Sequence, residues 1–105
     1  MARYLIRMEL HKLPNKTVQE SDYEILHEEI AKKKFLPTVS YDGDSSVYEL
    51  PTGTYRKVND DTLDKTEKDA SDAGQATVRR SSNVGSFSFF LVDYNNSRKY
   101  NLKKR

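Results

Sequence analysis

The sequence predicts an α+β domain with element order βαββαβ, in which a four-stranded antiparallel sheet carries two helices on one face. Three observations predict it. An alternating segment near the start is followed by a helical segment opened by acids and closed by lysines. A second helical segment later leads into the most apolar strand of the chain. Between these two pairs lies a hairpin pattern turned by a glycine.

In residues 3–11, Tyr4, Ile6, Met8 and Leu10 fall on one face, and Arg3, Leu5, Arg7, Glu9 and His11 on the other. This is the period-2 pattern of a half-buried strand, and its charged second face fits a sheet that helices cover on one side only. Residues 12–19, with Pro14 and Asn15, read as a polar loop. Ser21-Asp22-Tyr23-Glu24 then has the form of a capping box, with Ser21 accepting from the Glu24 amide while the Glu24 side chain reaches back. Acids at the start and lysines at 32–34 suit the helix dipole. Tyr23, Leu26 and Ile30 form its buried stripe, with His27 at the margin.

Residues 35–41 and 46–50 flank Asp42-Gly43-Asp44-Ser45 and read as a hairpin. Pro37 cannot donate to a ladder, which places it at an edge or a strand start. Pro51-Thr52-Gly53 breaks the second strand, and residues 54–58 resume it after a kink. Asp61 or Thr62 caps a second helix expected to end near Ala73, before Gly74, with a thin stripe of Leu63, Ala70 and Ala73. Residues 75–85, including Arg79-Arg80-Ser81-Ser82-Asn83, read as a basic loop, with a short strand at 76–80 as the alternative. Residues 86–94 form the strongest strand. Phe87, Phe89 and Leu91 alternate with Ser88, Phe90, Val92 and Tyr94, so apolar groups on both faces place it centrally or at a contact surface. The order is that of a ferredoxin-like fold. A single domain is expected over residues 1–94, followed by a basic, flexible tail at 95–105.

Composition narrows the function. The 105 residues contain no cysteine, so disulfides, thiolate zinc sites and cysteine nucleophiles are excluded together. No apolar run approaches the roughly 20 residues of a membrane span, and the N-terminal residues lack a signal-peptide pattern, so a cytoplasmic protein is expected. The net charge of +2 hides an asymmetry: residues 1–41 hold 7 basic and 6 acidic residues, 42–73 hold 4 and 9, and 74–105 hold 7 and 1. A basic C-terminal third points to a polyanionic partner, with nucleic acid the commonest; a solubilising tail is the alternative.

Glu9 and His11 stand two apart on one strand and share a face with Arg3 and Arg7. A carboxylate beside an imidazole suits general acid–base chemistry at a ribose 2′-hydroxyl, and guanidinium forks suit phosphate. The same four residues also fit a merely solvated face. Arg79, Arg80, Arg98 and Lys99 are further candidate phosphate binders, and Phe90 or Tyr94 can stack on unpaired bases or build a homodimer contact. Ser81 and Ser82 lack a histidine in sequence range, and Gly43 and Gly53 lack the strand–glycine–helix setting of a phosphate loop. No small-molecule cofactor is expected.

Tyr4-Leu5-Ile6-Arg7-Met8-Glu9, the helix bearing Tyr23, Leu26 and Ile30, and Phe35-Leu36-Pro37 ahead of the hairpin together resemble the GhoS-like antitoxins of type V toxin–antitoxin systems. The resemblance spans about residues 3–50, and the remainder follows by element order. It implies a small bacterial endoribonuclease that cleaves single-stranded messenger RNA, in a ferredoxin-like domain that pairs into a homodimer; the chemistry of the residues themselves, not the resemblance, makes Arg7, Glu9 and His11 the candidates for its site. Where Glu9 stands, the similar CRISPR-associated endoribonucleases carry a metal-binding acid, so the resemblance also admits Mg²⁺. A non-catalytic RNA-binding or protein-interaction module is the alternative.

Overall fold

The structure, a computed structural model, describes residues 2–39, 46–59, 61–93 and 103–104. The turn at 42–45, Tyr94, Arg98 and Lys99 lie outside the described residues. The elements are β1 (Ala2–Lys12), α1 (Glu20–Ala31), β2 (Thr38–Val39), β3 (Tyr48–Glu49), β4 (Thr54–Asn59), α2 (Leu63–Arg80), β5 (Val84–Asp93) and β6 (Lys103–Lys104). The main sheet is antiparallel in the order β4-β1-β5, and β2-β3-β6 form a small second sheet. Among the described residues the chain is therefore α+β with a three-stranded main sheet.

Where a fourth strand would flank β4 there is a single antiparallel bridge. Leu36 and Arg56 exchange two backbone hydrogen bonds of 2.8 Å. Pro37 follows at once. With no N–H it cannot continue that ladder, and its carbonyl instead accepts from the Leu50 amide at 2.8 Å, which draws the chain toward the small sheet. β5, expected as a central strand or a contact strand, lies at an edge; β1 is the central one.

The alternation of β1 holds. Tyr4, Ile6, Met8 and Leu10 are buried, and Ile6, Met8 and Leu10 join Leu26, Ile30, Phe35, Tyr55, Ala70, Ala73 and Val84 in one core. The loop before β4 is fastened by Gly53, whose carbonyl accepts from the Met8 amide at 2.7 Å. Gly53 has φ +85°, and a Cβ there would meet the Met8 carbonyl oxygen at 2.6 Å, so both its conformation and its space require glycine.

Helix α1 begins two residues earlier than its expected box. Gln19 is the N-cap, and its amide donates to the Asp22 Oδ2 at 2.7 Å. Asp22 is drawn into this role by tertiary partners: it is buried and also accepts from the Ser81 hydroxyl and the Asn83 side-chain amide. Burial alone would raise its pKa. The Ser81, Gln19 and Asn83 hydrogen bonds outweigh that and hold the carboxyl below the ordinary range.

Helix α2 overturns its expected end. Thr62 caps it, accepting from the Lys65 amide at 3.1 Å, but the helix runs through Gly74 to Arg80. Residues 76–80 are therefore its last turns, neither loop nor strand. Its buried stripe is Thr66, Asp69, Ala70, Ala73, Gly74 and Thr77, whereas Leu63 is exposed. The two threonines can face the core because each hydroxyl donates to the carbonyl four residues back, at 2.9 Å, leaving no polar group unmet. At the far end of the covered layer, buried Lys57 lies 3.1 Å from both Asp61 and Asp69 and over the Phe35 ring.

Candidate functional site

The helices pack on one face of the main sheet and leave the other carrying the residues of interest. Strand register sets their neighbours. Arg7 stands opposite Phe90 on β5 and Thr54 on β4; Leu5 opposite Val92 and Arg56; Arg3 opposite Val58; Glu9 opposite Ser88; His11 opposite Ser86. Arg3, Arg7, Glu9 and His11 are all exposed, and Phe90 is 70% exposed, a large aromatic surface beside a guanidinium. The His11 Nε2 and the Ser88 hydroxyl share a hydrogen bond of 2.9 Å, which orients the imidazole from the neighbouring strand.

Successive same-face side chains on a strand lie about 7 Å apart. A carboxylate and an imidazole at this spacing can address opposite sides of one phosphodiester, and Arg7, one step further along, can address its non-bridging oxygens. β1 thus brings Arg3, Arg7, Glu9 and His11 together on one surface.

Arg79 and Arg80 do not join them. They sit on the last turn of α2, in the helical layer. Arg80 is occupied: its guanidinium lies 2.6 Å from Glu29 and 3.3 Å from Glu28. The Arg80 hydrogen bond, opposed by burial and reinforced by Lys32, holds the Glu29 carboxyl below its ordinary range.

Two residues of this face escaped the sequence reading. Arg56 on β4 donates its Nε–H to the Thr38 carbonyl, bringing a third guanidinium to the margin of the face. Ser88 holds His11. Both are legible only after strands distant in sequence are paired in register, since neither belongs to a local motif.

Among the described residues no three His, Asp or Glu side chains converge as a metal site. Glu9 is a lone carboxylate among arginines, a poor donor set for Mg²⁺, which takes oxygen ligands in octahedral geometry. The residues present do not fit that ion. Among the described residues no helix is long and apolar enough to cross a membrane. Comparison with protein-family models, with curated proteins and with solved structures finds no match for this chain.

Proposed function

We propose that this is a cytoplasmic RNA-acting protein that binds single-stranded RNA across the face of its main sheet opposite the helices. The observation that carries the reading is Phe90, 70% exposed and directly opposite Arg7. An aromatic platform beside a guanidinium offers an unpaired base a stacking surface and its phosphate a charge-assisted donor. Arg3 and Arg56 extend the positive track. The core arrangement is read as a reduced ferredoxin-like fold, its fourth strand shortened to the Leu36–Arg56 bridge, and the GhoS-like resemblance of residues 3–50 is the sequence support for an RNA-acting role.

The catalytic form of the reading is a metal-free endoribonuclease. Glu9 takes the proton of a ribose 2′-hydroxyl as its oxygen attacks the adjacent phosphorus. The P–O5′ bond breaks, and protonated His11 gives its proton to the departing 5′-oxygen. The products are a 2′,3′-cyclic phosphate and a 5′-hydroxyl, with Arg7 stabilising the charge that builds on the phosphoryl oxygens. The competing reading of the same face is a homodimer contact, in which Phe90 and Val92 close on a second copy about a two-fold axis and are withdrawn from RNA.

Purified protein incubated in chelator with an end-labelled, unstructured RNA tests this. Cleavage that leaves cyclic-phosphate ends, and that stops when the 2′-hydroxyl at the cleaved position is removed, supports the nuclease. Binding without cleavage under every condition leaves an RNA-binding module, and no binding rejects the whole reading.

A further inference from the structure

We propose that the outer edge of β5, together with the groove between it and α2, is a docking site for an extended peptide segment that carries an acidic side chain. It lies on the helical side of the sheet and is independent of whatever binds the opposite face.

Among the described residues β5 pairs with β1 alone. The outer side of a ten-residue strand therefore presents a row of backbone donors and acceptors. Such a row is matched in spacing by another peptide backbone, which adds as one more strand. Beside this edge runs a groove of about 440 Å³, lined by Gln75, Val78 and Arg79 of α2 and by Gly85, Ser86 and Phe87 of β5. Side chains of an added strand alternate, so every second one points into the groove. Val78 and Phe87 offer those side chains an apolar wall.

Arg79 supplies the charge preference. Arg80 next to it is neutralised by Glu28 and Glu29, whereas no acid among the described residues pairs with Arg79, which is exposed at the groove wall. A segment seated here gains from an Asp or Glu on its groove face, two positions from a branched apolar residue. The chain's own C-terminus is a poor occupant, because residues 94–105 contain no Asp or Glu. RNA suits the site less well, since the unpaired edge asks for a peptide ladder and the groove wall is apolar.

The test uses a fluorescent heptapeptide, Thr-Val-Thr-Glu-Thr-Val-Thr, and two controls. One carries lysine in place of the glutamate; the other is N-methylated at alternate amides. The expected result is saturable binding that shifts the amide resonances of residues 84–93 and Arg79, at least fivefold weaker for the lysine peptide and absent for the N-methylated one. Arg79→Glu, at an exposed position where circular dichroism should show the fold retained, should reverse the preference so that the lysine peptide binds better. Three results overturn the proposal: no shifts in residues 84–93; a preference that Arg79→Glu leaves unchanged; or sedimentation showing a second copy on this edge that the peptide does not displace.

Discussion

The Phe87 ring packs so closely over Gly74 that a Cβ at that position would come within 2.5 Å of it. This relationship explains why the interior of α2 holds a glycine, since the ring needs the space that a missing side chain leaves. Gly74→Ala gains about 1 kcal/mol of helix propensity but overpacks the contact, at about 1–3 kcal/mol. Urea unfolding should show a net loss of stability in the single variant. In a Phe87→Ala background, where the ring is gone, Gly74→Ala should instead stabilise by up to about 1 kcal/mol. Equal effects in both backgrounds would contradict the packing account.

The acid limb of stability should report the carboxylates of the helical layer. Asp22 and Glu29 are held below their ordinary values, so what they contribute is fully present above their unfolded pKa values, about 4, and is lost as pH falls through the lower folded ones. Unfolding free energy should fall steeply below about pH 4. Asp22→Asn should be less stable at pH 7, because the Asn side chain replaces an acceptor of three hydrogen bonds, and should show a shallower acid limb. Parallel pH profiles for the two proteins would remove Asp22 from this role.

Lys57→Met tests the buried ion cluster. The change removes the cation between Asp61 and Asp69 and leaves Asp69, among the described residues, only the exposed Lys65, 3.1 Å away. Breaking a buried pair on one side costs up to about 3–5 kcal/mol, part of which Lys65 offsets. Chemical denaturation should show a loss of that order, with part recovered in the double variant Lys57→Met/Asp69→Leu, which removes a second buried charge. No recovery in the double variant would mean that the cost comes from packing.

Neighbouring residues of β1 should separate folding from function. Met8→Ala opens a core cavity and should cost about 2–5 kcal/mol while leaving RNA affinity intact in the folded fraction. Arg7→Ala is exposed and should change stability by less than about 0.5 kcal/mol while weakening RNA binding. Thermal melts and fluorescence anisotropy on the same two variants check both halves.

Much of this was legible in the sequence, for definite reasons. The alternation of Tyr4, Ile6, Met8 and Leu10 fixes which face of β1 is buried, and hence that Arg3, Arg7, Glu9 and His11 share the other. The stripe of Leu26 and Ile30 places α1. What escaped depended on partners far along the chain. Gly74 reads locally as a stop, yet it sits inside the helix as the residue that leaves room for the Phe87 ring. The cap of α1 moves from Ser21 to Gln19 because Asp22 is bound by Ser81 and Asn83. Thr66 and Thr77 look polar, yet bury themselves once their hydroxyls bond within the helix. The candidate site divides the same way: its β1 half follows from alternation, while Arg56 and Ser88 enter through strand register alone.

RNA binding on this face is tested by titrating isotope-labelled protein with an unstructured oligoribonucleotide and following amide and side-chain resonances. Shifts should cluster at Arg3, Leu5, Arg7, Glu9 and His11, at Arg56, and at Ser88, Phe90 and Val92, with the Phe90 ring protons moved upfield by base stacking. Shifts confined to α1 and α2, or no shift at Phe90 when RNA is bound, would contradict it.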